Sequence, residues 1–166
     1  MKRPFAALRA LGRGYASSRG HHALRSDEAQ CRDANQGSDI TGLKDLDHID
    51  AEGPRELVFG ALARMSDVAA HRRIAAEYPA ISESLMRAAS QQLCNVATLG
   101  GNLLQRTRCV YFRGVESFAC NKRKPGSGCA AQRGNDRGHA LLGGSSACIA
   151  VYPGDFAVAL VAFDAC

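Results

Sequence analysis

Residues 90–113 read SQQLCNVATLGGNLLQRTRCVYFR, and residues 120–131 read CNKRKPGSGCAA. Within the first stretch, Thr98, Leu99, Gly100, Gly101 and Asn102 set two adjacent glycines between a hydroxyl and an amide side chain. Adjacent glycines let successive backbone N–H groups converge on an anion with no Cβ in the way, a concavity that suits phosphate. The plain alternative is a turn, the commonest use of a Gly-Gly pair. On these residues alone both readings stay open.

The same two stretches carry Cys109, Cys120 and Cys129, and Cys148 follows in a later Gly- and Ser-rich segment. Four thiolates can hold either a zinc ion or an iron–sulfur cluster. Structural zinc sites favour paired C-x2-4-C knuckles, which these spacings lack, whereas clusters accept cysteines presented singly from loops, so the spacing discriminates weakly. Free structural cysteines on a basic loop are the third alternative. Around them, residues 105–139 hold Arg106, Arg108, Arg113, Lys122, Arg123, Lys124, Arg133 and Arg137 against Glu116 and Asp136, a local charge of +6 in a chain of net charge +5. A nucleic-acid coat would spread its charge along a face with interleaved aromatics. Here the charge crowds the cysteines, where it would compensate an anionic cluster and supply hydrogen-bond donors. A zinc- or nucleic-acid-binding basic module is the weaker third function.

Outward from this centre, the chain has 166 residues, 46% hydrophobic and 22% charged, enough to bury ~70% of its unfolded surface as one domain or two small subdomains. Collagen, coiled coil and wholesale disorder are excluded. The most apolar segment, residues 148–166, is broken by Pro153, Gly154 and Asp155 before it reaches the ~18 residues of a membrane span. Seven cysteines are an odd number in a chain too long for a disulfide-stapled miniprotein. Residues 1–25 contain basic residues and no acid; Arg9 and Arg13 interrupt any secretory apolar core, while the composition is compatible with a transit peptide. Residues 1–53, with eight basic and eight acidic residues, predict a poorly ordered or degenerate N-terminal segment.

From residue 54 local signals strengthen. Residues 56–62 (ELVFGAL) read as a short strand ending in a Gly turn, and Ser66-Asp67 as the cap of a helix running through Ala76. Pro79 opens a second helix to about Ala89, with Ile81, Leu85, Ala88 and Ala89 as a core-facing stripe. Residues 148–165 predict a strand, a turn and a helix whose Phe156, Leu160 and Phe163 share a face. Asp155 stands where it caps that helix, and equally where it accepts hydrogen bonds from ligand hydroxyls.

Together with HALLGGSSACIAVYPGDFAVALVAFDA at residues 139–165, the two opening stretches resemble the FAD-binding medium subunit of the xanthine dehydrogenase and aldehyde oxidoreductase family of molybdenum hydroxylases, in the branch whose subunit carries a [4Fe-4S] cluster. The resemblance runs from about residue 57 to 165, some two thirds of the chain, with several motifs in family order. It implies an α+β fold: a partial FAD-binding (PCMH-like) domain at residues 54–166, a small sheet flanked by short helices, with an inserted cysteine-rich basic loop at 105–148. It implies that Thr98, Gly100, Gly101 and Asn102 contact the FAD pyrophosphate and ribityl region, that Asp155 contacts the flavin side, and that Cys109, Cys120, Cys129 and Cys148 ligate the cluster. It also implies two partners, a molybdenum-cofactor large subunit and a [2Fe-2S] small subunit, whose electrons this subunit passes to FAD and an external acceptor. Hydroxylation belongs to the partner, and neither a nucleic acid nor a membrane span is implied. Cytoplasm is the default compartment, with periplasmic co-export on a partner as the alternative.

The chain departs from the family pattern in four places. The family's opening A-G-G-T-[ND]-L loop is missing, Cys94 replaces Arg, Gly154 replaces Ser, and the sequence ends at Cys166 where family members run on. A pyrophosphate deprived of two or three charge-assisted bonds at ~1.5–3 kcal/mol each is bound orders of magnitude more weakly. The alternative expectation is therefore a truncated remnant or interaction protein that holds an iron–sulfur cluster or a partner without FAD.

Overall fold

The computed structural model describes residues 16–17, 37–38, 43, 45–53, 56–114 and 118–165. Most of the segment expected to be poorly ordered, 1–53, lies outside the described residues. Its end is structured: β3 (Ile49–Asp50) pairs antiparallel with β4 (Val58–Phe59), Ile49 opposite Phe59. Two earlier two-residue strands, β1 (Ala16–Ser17) and β2 (Gly37–Ser38), pair in parallel. The chain divides into two compact units. One contains Asp33–Gln105 and Gly154–Cys166, the other Arg106–Pro153.

In the first unit the β3–β4 hairpin leads into short helices. The turn after β4 needs Gly60: its N–H donates to the His48 carbonyl at 2.9 Å, and a Cβ there would collide with the Leu46 carbonyl. Helix α1 (Met65–Ala70) begins one residue before the predicted Ser66 cap. The reason is tertiary. Arg64 is held extended by a bridge to Thr98, and the Met65 N–H donates to the Ala97 carbonyl at 3.0 Å. His71, in extended geometry, separates α1 from α2 (Arg72–Glu77), where the sequence predicted one helix. Val68 and Ile74, both fully buried, would lie about 120° apart around an unbroken helix. The break at His71 lets both face one core.

Helix α3 (Pro79–Met86) starts with Pro79 in its first turn, where a missing N–H costs nothing. Ile81, Ser82 and Leu85 are buried, and Ala88 and Ala89 pack against the core, as the stripe required. The buried Ser82 hydroxyl donates to the Ala69 carbonyl at 2.7 Å, tying α3 to α1. Arg73 fastens α2 to the hairpin, donating through Nη1 to the Ala51 and Gly53 carbonyls, each at 2.5 Å. Helices α4 (Gln91–Cys94) and α5 (Leu99–Leu103) follow, and the C-terminal α7 (Asp155–Ala162) closes the core with Phe156 and Ala159. No strand forms at residues 148–152; there the backbone belongs to the second unit, whose loops lead into α7. Among the described residues no helix is long and apolar enough to cross a membrane.

The second unit contains α6 (Val110–Arg113) and a 3-10 turn (Ala130–Arg133), joined by turns. Its buried apolar side chains among the described residues are Phe112, Cys120 and Ala131. The first unit therefore carries the hydrophobic core. Leu85→Ala should lower its unfolding free energy by about 2–5 kcal/mol, read as a lower urea midpoint with an unchanged slope.

Candidate functional site

The four cysteines Cys109, Cys120, Cys129 and Cys148 all fall in the second unit, and all are free thiols. A tight turn pairs two of them. Lys124-Pro125-Gly126-Ser127 closes with the Ser127 N–H on the Lys124 carbonyl at 3.1 Å, and Gly126 takes φ +83°, the pattern of a Pro-Gly type II turn. The chain doubles back so that Cys120 and Cys129 bridge antiparallel, with the Ala130 N–H on the Ala119 carbonyl at 2.9 Å. The Ser127 hydroxyl accepts from the Cys120 N–H at 3.0 Å.

Asn121 extends this pairing to Cys148. Its Oδ1 accepts from the Gly128 N–H at 2.9 Å and its Nδ2 donates to the Ala147 carbonyl at 2.7 Å, so one carboxamide holds the neighbours of three cysteines. Gln132 adds a second tie, its Nε2 donating to the Ser145 and Ser146 carbonyls at 3.2 and 2.8 Å. Cys109 caps α6 at its N-terminus, and Arg123 binds that helix by donating to the Tyr111 and Phe112 carbonyls, both at 2.6 Å. The His139 Nε2 lies 3.1 Å from the Cys109 Sγ, and the next residue, Ala140, donates its N–H to the Ile149 carbonyl, beside Cys148. Among the described residues no three His, Cys, Asp or Glu side chains converge tightly enough to hold a single metal ion.

The basic residues predicted to surround the cysteines do not act alike. Arg113 Nε donates to the Thr107 carbonyl at 2.9 Å, Arg123 clamps α6, and the Arg106 guanidinium sits 4.6 Å over the Phe112 ring. Three of the eight are therefore structural ties. Arg108, Lys122, Lys124, Arg133 and Arg137 are exposed.

Thr98, Gly100, Gly101 and Asn102 lie together in the first unit, at the start of α5. Thr98 is its N-cap, and its hydroxyl accepts from the Gly101 N–H at 3.2 Å. The Leu99 and Gly100 N–H groups donate to the Ala63 and Ala61 carbonyls at 2.9 and 2.8 Å. The backbone donors expected to face an anion are thus engaged within the chain. Gly100 is required for a different reason: its Cβ would lie 2.8 Å from the Ala61 carbonyl oxygen. Gly101 and Asn102 are half-buried. Asp155 is exposed at the first position of α7, and Gly154, not Asp155, is the N-cap. Cys94 is a core residue whose Sγ lies 3.5 Å from the Leu85 carbonyl.

Asn121 and His139 carried no distinguishing mark in the sequence. Each matters through partners far along the chain, and only the position of Asn121 directly after Cys120 could have drawn attention to it.

The chain belongs to the family of FAD-binding domains in molybdopterin dehydrogenases, whose family model matches residues 26–166. Among its relatives is PaoB, the aldehyde oxidoreductase FAD-binding subunit of Escherichia coli (strain K12), 51% identical over 127 residues. That match covers 76% of this chain and 39% of the relative, so the chain spans well under half of the relative's length.

Replacing Asn121 by Ala removes two bonds at once and leaves the Gly128 N–H and the Ala147 carbonyl in need of partners. Amide hydrogen exchange at Gly128 should accelerate by about tenfold or more, as loss of ~1–3 kcal/mol of local stability requires, while exchange at Leu85 stays unchanged.

Proposed function

We propose that this chain is an electron-transfer, FAD-binding segment of a molybdenum hydroxylase of the aldehyde oxidoreductase type, and that its second unit carries a [4Fe-4S] cluster on Cys109, Cys120, Cys129 and Cys148. The observation that carries the cluster assignment is the network through Asn121, Gln132, Arg123 and His139. It ties all four cysteine loops together although little apolar surface is buried between them. A unit this small normally needs a disulfide, a metal or a partner for stability, and Cys109, Cys120, Cys129 and Cys148 are free thiols. The donor set is soft thiolate, which suits iron–sulfur and zinc alike. A tetrahedral zinc with Zn–S bonds of about 2.3 Å draws its sulfurs into close mutual contact, whereas a cluster of four irons spaces them more widely. The sequence spacing, which lacks the paired C-x2-4-C knuckles of structural zinc sites, favours the cluster.

For FAD, family membership supports binding. The start of α5 does not fit a pyrophosphate held by its own backbone donors, because the Leu99, Gly100 and Gly101 N–H groups are engaged. The residues left to meet the cofactor are half-buried Gly101, where no Cβ bars approach, half-buried Asn102, and exposed Asp155, whose carboxylate can accept from hydroxyl groups. Bound FAD would supply the redox chemistry that moves electrons on to an external acceptor. The partners in this reading are a large subunit with a molybdenum cofactor and a small subunit with [2Fe-2S] centres; the relative's name, a subunit of an aldehyde oxidoreductase, supports the presence of partner subunits.

A second reading is favoured by those same engaged donors: a chain that holds the cluster or docks on a partner without retaining flavin. The absorption spectrum of the chain after anaerobic reconstitution separates the two. Flavin bands in the blue support the first reading, and a broad brown absorbance alone supports the second. With either outcome, Cys120→Ser should abolish iron incorporation and spare any flavin; full iron content in that variant would remove Cys120 from the ligand set. Gly101→Val should weaken flavin binding by at least tenfold, and an unchanged flavin titration would remove Gly101 from the site.

A further inference from the structure

The His139–Cys109 contact sets this thiol apart from the other three. His139 lies in a turn closed by its own N–H on the Asp136 carbonyl at 2.8 Å, and its ring is tilted against Tyr111, with centroids 6.2 Å apart. The Nε2 lies 3.1 Å from the Cys109 Sγ, a short approach for nitrogen to sulfur. The other ring nitrogen, Nδ1, is buried with no hydrogen-bond partner among the described residues.

That bare Nδ1 decides where the proton sits. A neutral imidazole carries one N–H and one acceptor nitrogen, and the imidazolium carries two N–H groups. A proton on Nδ1 would bury an N–H with nothing among the described residues to receive it, and orphaned buried donors are rarer than orphaned acceptors. With the proton on Nε2, the N–H points at the sulfur and only an acceptor is left bare. The tautomer that satisfies the ring is the one that donates to Cys109.

We propose that His139 is a positioning residue for Cys109, donating Nε2–H to its Sγ. This rests on the reading of Cys109 as a cluster ligand in its redox consequence, which is that the donor raises the reduction potential of the cluster. An N–H aimed at a ligating sulfur holds the negative charge that a single added electron brings to the sulfurs, so the bond is stronger in the reduced state. The electron comes from whatever one-electron reductant serves the centre, a chemical mediator in the test below.

Two measurements on the full chain test the proposal separately. Long-range proton–nitrogen correlation spectra of the metal-free protein should show His139 as the Nε2–H tautomer; the Nδ1–H tautomer would overturn the proposal without reference to any cluster. On reconstituted protein, the cluster is poised at a fixed ambient potential with a redox mediator and its reduced fraction is counted by electron paramagnetic resonance. His139→Phe keeps an aromatic ring and removes the donor. It should bind a full complement of iron and show a reduced-to-oxidised ratio lower by roughly tenfold, equivalent to 59 mV for one electron. His139→Gln, which keeps an N–H within reach, should restore part of the difference. Full iron with an unchanged ratio in the Phe variant overturns the redox role, and so does loss of iron from that variant alone, which would make His139 a requirement for assembly. Failure of the unaltered chain to take up iron overturns the cluster reading, leaving the tautomer result to stand or fall on its own.

Discussion

One carboxamide ties together loops whose cysteines are widely spaced in sequence. Asn121 follows Cys120, and its two bonds reach the residue before Cys129 and the residue before Cys148. Without such ties, each loop would have to be ordered at the moment an inorganic group is bound, at an entropic cost of ~1–2 kcal/mol per residue fixed. The turn at residues 124–127, the Gln132 bonds and the Arg123 clamp work in the same direction. Polar bonds carry this burden because, among the described residues, the buried apolar side chains Phe112, Cys120 and Ala131 are too few to form an apolar core. In such a unit a bound metal group contributes folding free energy directly, since the unfolded chain presents no site for it.

The first unit is stabilised in the opposite way. Val68, Ile74, Leu85, Met65 and Phe156 are buried almost completely, and two of its glycines serve packing. Gly100 lets α5 rest against the backbone at Ala61, and Gly60 lets the chain pass the Leu46 carbonyl. The Gly-Gly pair is thus explained in part by close approach of protein to protein. One of its two glycines has a structural duty, and Gly101 alone stays half-exposed. A motif associated with ligand contact can divide its residues between holding the fold and meeting the ligand, and only their surroundings tell which does which.

What could be read in the sequence follows the range of each interaction. The helix at Pro79 and its Ile81 and Leu85 stripe were legible because proline geometry and helical period act within a few residues. The strand and turn at residues 56–62 were legible on similar grounds. The start of α1 was misplaced because it depends on Arg64 pairing with Thr98, and the break at His71 because it serves two core positions at once. For the candidate site, the spacing and setting of the four cysteines were legible, and so was the excess of positive charge. The ties between the loops were not, since Asn121, Gln132 and His139 act on partners that become neighbours only in the folded chain.

The positive charge illustrates how the sequence can suggest a sound principle while the structure assigns the work differently. Eight cations near four thiols suggest a collective field. Arg106, Arg113 and Arg123 instead spend their guanidinium groups on backbone carbonyls and an aromatic ring. The five cations outside these ties are exposed and act through water, where unit charges even 4 Å apart interact by only about 1 kcal/mol and salt screens them over about 8 Å. A donor 3.1 Å from a sulfur, on a half-buried ring, acts at a fraction of that range with no solvent between. The electrostatics around Cys109 should then depend more on His139 than on the lysines and arginines that dominate the composition around it, and the exposed cations are left to act at long range, on approach of an acidic partner surface.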